Sequence, residues 1–169
     1  LLASLFADSP IASFVTDAKG VVLQQNQALE RLFSLSPRQL VKFIGRYNLL
    51  SDRVLRDHSE NYAKLKRVYE TGSVETLELV YPLTNLHKNK LLQDTNLHLR
   101  VNLLPLRDRH GQVARVLAQL EDISSMQDAS ESLRRQNQLL SNLIDNSRNL
   151  IAVKSLEGRY LLVNQSFAR

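Results

Sequence analysis

Apolar and polar residues alternate in the stretch Asn96–Arg107 of this chain. At a period of two, one face carries Leu97, Leu99, Val101 and Leu103. The other face carries His98, Arg100 and Asn102. Such alternation is typical of a strand in an antiparallel sheet that buries one face. The sequence therefore predicts an apolar inner face and a polar outer face for this strand.

Four further strands are predicted from the same kind of pattern. Residues 14–25 contain two of them, joined by a turn at Asp17–Gly20. Residues 74–82 form the third, and residues 112–122 follow a turn at Asp108–Gly111. Glycine at the end of an Asp-initiated turn accounts for both reversals. A polar connection at Leu83–Thr95 separates the third predicted strand from the alternating one.

Short helices are predicted between the first two strands and the last three. Asn26 occupies an N-cap position before residues 27–33. Ser36–Gln39 reads as a capping box that opens a second helix over residues 37–44. Residues 59–72 form a longer amphipathic segment that ends on glycine. The order is two strands, several short helices and three strands, which indicates an α+β fold.

An internal repeat joins the two ends of the chain. Leu5–Arg31 aligns without a gap on Leu143–Arg169, at an offset of 138 residues. The identical positions include Gly20 with Gly158 and Asn26 with Asn164. Self-similarity at a fixed offset indicates two copies of one unit. The second copy contains only a first hairpin and the start of a helix, so we expect it not to complete a core.

A linker helix is predicted between the repeats, over residues 123–145. The segment lacks glycine and proline, and it has apolar residues seven positions apart at Met126, Leu133 and Leu140. Gln136 interrupts the row that pairs with these residues. This spacing predicts a short parallel coiled coil, and hence a homodimer. The alternative is an amphipathic helix packed on its own domain. The segment has no histidine, so it is not the phosphoacceptor helix of a histidine kinase.

The chain contains no cysteine among its 169 residues. This excludes disulfides, thiolate catalysis, cysteine-ligated metals and any cysteinyl adduct with a cofactor. The net charge of +5 is spread over the chain without a block of like charges, which disfavours nucleic-acid binding by this segment. No apolar run reaches the ~20 residues that span a bilayer, and Leu1 does not open a signal peptide. We therefore expect a cytoplasmic location.

Several of these motifs together resemble the PAS domain, a sensory module of signalling proteins. They are the Asp-x-x-Gly turn, the asparagine that opens the first helix, the Thr-Gly before the third strand, the Pro-Leu-Arg-Asp-x-x-Gly hairpin and the closing Glu-Asp-Ile-Ser. The resemblance covers Leu5–Ser125, with a partial second copy from Leu143. It implies a five-stranded antiparallel sheet with short helices on one face, which cups a small-molecule pocket. The expected domains are residues 1–122, the linker at 123–145 and the second copy at 146–169.

The resemblance also implies where a ligand would bind. A pocket between the inner face of the sheet and the helices would be almost entirely aliphatic and aromatic, which favours an apolar ligand. The candidate lining residues are Phe14, Phe33, Tyr47, Tyr62, Leu77, Leu79, Tyr81, Leu99, Val101, Leu103, Val116 and Ala118. Arg46 and Asn48 are candidates for polar contact with a ligand carboxylate or carbonyl. The alternative is that these residues simply fill a core.

Known cofactors of the family can be compared with this sequence. A flavin photosensor requires a reactive cysteine in an Asn-Cys-Arg-Phe-Leu-Gln motif, and the chain has none. Non-covalent flavin stays open without support from the sequence. Haem-binding members use a histidine on a helix that faces the pocket, where His58 is the one candidate. A lone histidine near a helix start is more often exposed or capping, so haem is disfavoured, and no residue cluster suggests a metal site.

These features predict a sensory module of a multidomain signal-transduction protein, for example of a two-component system. The first domain would bind the ligand, and the helix would relay the change to a downstream output domain in the same chain. We expect no catalysis within this segment. A histidine kinase or a cyclic-dinucleotide enzyme is the expected kind of output. The alternative function is a ligand-free dimerisation and relay module with a filled core.

Overall fold

A computed structural model of the chain describes residues 2–83 and 96–168. Its main sheet consists of β1 (Ala12–Asp17), β2 (Val22–Gln25), β3 (Glu75–Pro82), β4 (Asn96–Arg107) and β5 (Val113–Asp122). The spatial order is β2-β1-β5-β4-β3, and every neighbouring pair is antiparallel. The predicted five-stranded antiparallel sheet is confirmed. Residues 84–95 of the predicted polar connection lie outside the described part of the chain.

The helices lie where the capping signals indicate, with two additions. They are α1 (Leu2–Ala7), α2 (Gln27–Leu32), α3 (Pro37–Phe43), α4 (Arg53–Asp57), α5 (Ser59–Thr71) and α6 (Ser124–Asp145), with a 3₁₀ turn at Leu49–Ser51. Gly72 ends α5 with a left-handed φ of 68°, a conformation that glycine adopts without steric cost. The sequence pattern did not indicate α1, because six residues are too few to show a helical period.

Alternation along β4 separates the two faces of the sheet as predicted. Leu99, Val101 and Leu103 are buried on the inner face. On the outer face, the Arg100 guanidinium lies 2.9 Å from a Glu78 carboxylate oxygen and 3.2 Å from one of Glu121. A pleated strand directs successive side chains to opposite faces, so one face packs into the core while the other carries ion pairs.

The Asn26 side chain fixes the corner between β2 and α2. Its Oδ1 accepts hydrogen bonds from the amides of Ser13 (2.9 Å) and Leu29 (3.1 Å). Its Nδ2 donates to the carbonyl of Ile11 at 2.7 Å. Asn26 is only 2% exposed, and these bonds satisfy a polar group that would otherwise be costly to bury.

The chain divides into two compact units, Leu1–Ser124 and Ser125–Arg169. The second unit contains most of α6 and a two-stranded sheet of β6 (Ala152–Lys154) and β7 (Tyr160–Val163). Tyr160 is 55% exposed, whereas its counterpart Val22 in the first unit is fully buried. The apolar residues of this hairpin therefore lack the covering that the first unit gives to theirs.

The corner at Asn164 repeats the hydrogen bonds of Asn26. Asn164 Oδ1 accepts from the amides of Ile151 (2.9 Å) and Phe167 (3.1 Å), and Nδ2 donates to the carbonyl of Asn149 at 2.8 Å. These three partners lie 138 residues after those of Asn26. An additional bond of 3.1 Å joins Asn164 Nδ2 to the carbonyl of Ile144, in the last turn of α6. The corner therefore holds the end of the linker helix.

Candidate functional site

A small cavity of about 40 Å³ lies between the inner face of the main sheet and the short helices. The segment from the end of α3 into α4 supplies one wall, and the sheet together with Phe33 and Leu35, which follow α2, supplies the rest. The lining residues are Phe14, Phe33, Leu35, Phe43, Tyr47, Leu49, Leu55, Leu77, Leu79, Tyr81, Leu99, Val101, Leu103 and Leu120. Every one of them is aliphatic or aromatic, so the cavity favours apolar contents.

Aromatic rings hold the helical wall against the sheet. The Phe43 and Tyr47 rings stack with centroids 4.8 Å apart, and Phe43 meets Phe14 edge-on at 5.8 Å. Phe33 and Tyr81 form a tilted pair, also at 5.8 Å. Each such pair contributes about 0.5–1.5 kcal/mol beyond the burial of its surface. The cavity is therefore bounded by side chains that themselves pack well.

A carboxylate cluster, formed by Asp52 and the hydroxyls of Tyr47 and Tyr81, lies behind this aromatic wall. Asp52 caps α4, because its Oδ1 accepts a hydrogen bond from the amide of Leu55 at 3.2 Å. Its Oδ2 accepts from the hydroxyl of Tyr47 at 2.6 Å and from that of Tyr81 at 3.4 Å. Asp52 is buried but is not among the lining residues, whereas both tyrosines are. The two rings therefore border the cavity, while their hydroxyls bond to a buried acceptor outside it.

Burial keeps the tyrosines of this region neutral. Burial, followed by the neighbouring Tyr81 hydroxyl and the Asp52 carboxylate, raises the pKa of Tyr47 well above its ordinary value. Burial and then Asp52 raise the pKa of Tyr81 in the same way. On α5, burial raises the pKa of Tyr69 to about 12, although its hydrogen bond with Thr16 acts in the opposite direction. These phenols therefore act as neutral hydrogen-bonding groups at physiological pH.

The volume of the cavity limits what it holds without a change in its walls. A cavity of roughly 10–15 Å³ holds a single water, and a cavity of about 150 Å³ admits benzene. The 40 Å³ of this cavity lies between these values. Long-chain or drug-sized ligands, which occupy pockets of about 300–1,000 Å³, would require a large displacement of the walls.

Nine of the twelve candidate pocket residues line the cavity: Phe14, Phe33, Tyr47, Leu77, Leu79, Tyr81, Leu99, Val101 and Leu103. Val116 and Ala118 are fully buried in the core, but neither borders the cavity. Tyr62 is half-buried on α5 and packs against that core instead. The sheet-face prediction thus identifies buried positions, and the shape of the packing decides which of them border free space.

The two predicted polar contacts do not lie at the cavity. Arg46 is exposed to solvent. Asn48 caps the 3₁₀ turn, since its Oδ1 accepts from the amide of Leu50 and its Nδ2 donates to the carbonyl of Lys19, both at 2.9 Å. Tyr47 and Tyr81 line the cavity with their rings, and their hydroxyls bond to Asp52. The hydrogen-bonding needs of the local backbone explain why Asn48 points elsewhere.

Five lining residues were not predicted as pocket residues: Leu35, Phe43, Leu49, Leu55 and Leu120. Leu120 has the same inner-face parity in β5 as Val116 and Ala118, and this parity is the signal that could have identified it. For Leu55, the available signal is an Asp N-cap three residues earlier, which fixes the start of α4. Phe43 ends α3, and Leu35 and Leu49 lie outside the α-helices, so no helical period identifies these positions.

The predicted seam residues of α6 are exposed. Met126, Leu133 and Leu140 have exposed fractions of 51%, 59% and 57%. None of the residues of α6 is buried. The helix therefore presents an uncovered apolar row, spaced at seven residues, within the second unit.

Metal and haem ligands are not assembled in the described part of the chain. His58 is exposed at the end of α4 and does not line the cavity. Within residues 2–83 and 96–168, no three His, Cys, Asp or Glu side chains form a group that could hold a metal ion. The same residues contain no helix that is long and apolar enough to cross a membrane.

Comparison with known proteins identifies the family. The sequence profile of the PAS fold matches residues 1–123. The chain belongs to the PAS family. PAS domains are sensory modules found in signalling proteins, which agrees with the resemblance drawn from the sequence motifs. No curated protein sequence gives a significant match to the chain.

Solved structures share the PAS fold at low sequence identity. An RNA-binding light-oxygen-voltage receptor is 17% identical, with a TM-score of 0.61 over 81% of this chain and 36% of its own. The PAS domain of a Colwellia psychrerythraea protein is 19% identical, with a TM-score of 0.53 over 73% of this chain and 95% of its own. That of nitrogen regulation protein NR(II) from Vibrio parahaemolyticus is 18% identical, with a TM-score of 0.51 over 73% and 98%.

Proposed function

We propose that this PAS domain senses a compact apolar ligand in its central cavity and relays the change through α6 to a downstream output domain. The observation that carries the proposal is the wholly aliphatic and aromatic lining of that cavity. An empty apolar cavity costs stability, so a ligand that fills it and binds only the folded state would stabilise the domain.

The size of the cavity supports a ligand of a few heavy atoms, or a somewhat larger one that displaces the helical wall. Phe43, Tyr47, Leu49 and Leu55 supply this wall from short helical elements. Short helices without long hydrogen-bonded ladders move more easily than a strand in the middle of a sheet. The ligand would therefore be coupled to the position of this segment.

A hydrogen-bonded junction connects the cavity wall to the start of α6. Leu99 lines the cavity, and its neighbour His98 accepts a hydrogen bond from the amide of Ile123 at 2.8 Å. The amide of His98 donates to Ser124 Oγ at 3.0 Å. Asp122 Oδ1 in turn accepts from the amide of Ser124 at 2.9 Å. A displacement of β4 by a ligand would therefore act directly on the first turn of the helix.

The exposed row on α6 supports dimerisation as part of the relay. Met126, Leu133 and Leu140 would face a second copy of the helix in a parallel coiled coil. A ligand shifts such a relay only if it binds one arrangement of the helices better than the other. The output domain, a histidine kinase or a cyclic-dinucleotide enzyme, would lie in the same chain, at a cytoplasmic location. The described residues themselves would be non-catalytic.

The experiment is a search for a bound molecule, followed by a titration. Native mass spectrometry of the purified chain is expected to reveal a co-purified small molecule. With xenon as a small apolar probe, carbon-13 methyl resonances of Leu99 and Leu103 should shift, whereas that of the exposed Leu106 should not. No bound molecule and no methyl shift at saturating xenon would contradict ligand sensing.

The second candidate function is dimerisation and relay without a ligand. The observation that favours it is the small volume of about 40 Å³, well below what admits benzene. In this case the protein would remain empty after purification, and xenon would leave the methyl resonances unchanged. Dimerisation through α6 is common to both functions, so the methyl titration is the measurement that separates them.

A further inference from the structure

The helical wall of the cavity, residues 43–57, is joined to one edge of the main sheet by backbone hydrogen bonds. The amide of Val22 donates to the carbonyl of Tyr47 at 3.0 Å, and the amide of Gly45 donates to the carbonyl of Val22 at 2.8 Å. The amide of Leu49 donates to the carbonyl of Gly20, also at 2.8 Å. Val22 begins β2, which is an edge strand. This attachment is made by the backbone, so it does not depend on the chemistry of any side chain.

At the opposite edge of the sheet, side chains connect the helical wall to β3. The hydroxyl of Tyr81, on β3, donates to Asp52 Oδ2 at 3.4 Å, and that of Tyr47 donates to the same oxygen at 2.6 Å. The two hydroxyls are also hydrogen-bonded to each other. Within residues 2–83 and 96–168, no bond between backbone groups joins the helical wall to β3. Tyr81 is therefore the member of the carboxylate cluster that holds the wall to the sheet.

We infer that the helical wall opens about its attachment to β2, and that the hydroxyl of Tyr81 is a latch that limits the size of the ligand the cavity admits. This inference rests on the proposed function and names the residue that sets the ligand size. A wall that moves away from β3 must break the bonds of Tyr81, whereas the backbone bonds at the β2 edge can be kept. A ligand larger than the cavity therefore has to open the latch.

The burial and charge of the cluster give this latch its strength. Asp52 and Tyr81 are each 8% exposed, so water does not readily replace the bond between them. Hydrogen bonds to a charged acceptor are stronger than those between neutral groups. The wall itself contains only short helical elements, which open locally more easily than central strands do. Loss of the latch should therefore raise the population of the open wall about tenfold, which is the effect of one buried hydrogen bond.

The ring and the hydroxyl of Tyr81 can be separated by one substitution. The ring lines the cavity and pairs with Phe33 at 5.8 Å, whereas the hydroxyl bonds to Asp52 outside the cavity. Tyr81→Phe therefore removes the latch and leaves the cavity lining unchanged. Tyr69→Phe is the matched control, because the hydroxyl of Tyr69 also joins a helix to the sheet, through Thr16 at 2.6 Å, but Tyr69 does not line the cavity.

Hydrogen exchange of the 169-residue chain tests the latch without a ligand. The amides of Leu55 and Arg56 bond to Asp52, at 3.2 and 3.0 Å, and report on the latched end of the wall. In Tyr81→Phe they should exchange about tenfold faster than in the parent, whereas the amides of Val22 and Gly45 at the β2 edge should keep their rates. Tyr69→Phe should not accelerate Leu55 and Arg56 selectively. Equal acceleration at both edges, or none, would overturn the latch.

A measurement on the parent protein covers the case in which Tyr81→Phe does not fold. In low concentrations of urea, the amides of Leu55 and Arg56 should exchange by a local opening that leaves Val22 and Gly45 protected. If Val22 and Gly45 open first or together with them, the wall does not open about its attachment to β2, and the inference is wrong.

Two probes of different size test the limit on the ligand. Xenon is the small probe, and benzene needs a cavity of about 150 Å³ and hence an open wall. Followed by the methyl resonances of Leu99 and Leu103, benzene should bind Tyr81→Phe about tenfold more tightly than the parent, because the variant has no latch to break. The affinity for xenon should stay within about twofold, and Tyr69→Phe should give the parent's values for both probes.

The outcomes separate this inference from the proposed function. If xenon shifts no methyl resonance in any of the proteins, ligand sensing fails and the size limit fails with it, while hydrogen exchange still decides whether the latch exists. If xenon binds but benzene binds the parent and Tyr81→Phe equally, the cavity does take ligands and the latch does not limit their size. In that case the proposed function stands and this inference is wrong.

Discussion

A single added methylene group at Val101 should stabilise the protein. Val101 lines the cavity and is 7% exposed, so an isoleucine there would bury the extra carbon almost completely. Burying one methylene contributes about 0.8 kcal/mol. The cavity of about 40 Å³ exceeds the roughly 10–15 Å³ that one water requires, and isoleucine keeps the β-branched shape that suits a strand. We expect Val101→Ile to raise the free energy of unfolding by up to about 0.8 kcal/mol.

Two other substitutions provide the comparison. Ala118 is fully buried without bordering the cavity, and its cross-strand neighbours are Phe14 and Leu103. Ala118→Leu should therefore overpack the core and cost about 1–3 kcal/mol. Val15→Ile makes the same chemical change as Val101→Ile, but at a half-buried position elsewhere in the sheet, and should stay within about 0.5 kcal/mol of the parent.

Urea denaturation of the three variants and the parent measures these differences. The expected order is Val101→Ile above the parent and Ala118→Leu clearly below it. Val101→Ile should also weaken the binding of xenon, because the new methylene occupies the space that the probe would fill. If Val101→Ile destabilises the protein by as much as Ala118→Leu does, the space beside Val101 is already filled, and the assignment of the cavity is wrong.

Three further predictions concern the carboxylate cluster, its tyrosines and the linker helix. Asp52→Ala removes an N-cap and leaves two buried hydroxyls without their acceptor. Urea denaturation should therefore show that the free energy of unfolding falls by roughly 2–5 kcal/mol for Asp52→Ala and by less for Asp52→Asn. Equal stability of Asp52→Ala and the parent would contradict the hydrogen bonds assigned to Asp52. Folding raises the pKa values of the three buried tyrosines, so the stability that their neutral hydroxyls contribute is fully present below about pH 10. This stability is lost as the pH rises toward the folded-state pKa values, by about 1.4 kcal/mol per pH unit for each tyrosine. Tyr81→Phe should reduce this slope by about one third, and an unchanged slope would show that Tyr81 does not contribute. Leu133→Glu with Leu140→Glu should weaken self-association in sedimentation experiments, whereas Gln138→Glu, off the apolar row, should not; an unchanged dimer would place the interface elsewhere.

The sequence indicates the sheet well because alternation is a local property. Leu99, Val101 and Leu103 are identified as inner-face residues by their period alone, and Asn26 is identified as a cap by its chemistry. The α+β order of elements and the internal repeat follow from the same local signals. In the structure these positions are buried, as the pattern predicts.

The cavity itself depends on packing that no local pattern contains. Val116 and Ala118 share the inner face with Leu120, yet only Leu120 borders free space. Phe43 becomes a wall residue through its ring contacts with Tyr47, four residues later, and with Phe14 on β1, which no local period relates to it. Long-range packing of this kind decides shape, so parity predicts which residues are buried but not which surround a void.

The polar groups of the site illustrate the same limit. Asn48 has the chemistry of a ligand contact, but its side chain already accepts a hydrogen bond from the backbone amide of Leu50. Asp52 was not predicted at the site, because its capping role and its bonds to Tyr47 and Tyr81 become visible only when α4 meets β3. Residues with competing backbone partners are therefore poorly predicted from sequence.

Hydrogen exchange of the amides at the junction between β5 and α6 tests the proposed relay from the cavity to the helix. The amides of Ile123 and His98 bond across this junction, to His98 O and to Ser124 Oγ. Exchange is measured with and without saturating xenon. If the relay operates, occupancy of the cavity changes the exchange rates of these two amides and of the first turn of α6. A change restricted to residues that line the cavity, with the junction and α6 unaffected, would contradict the relay.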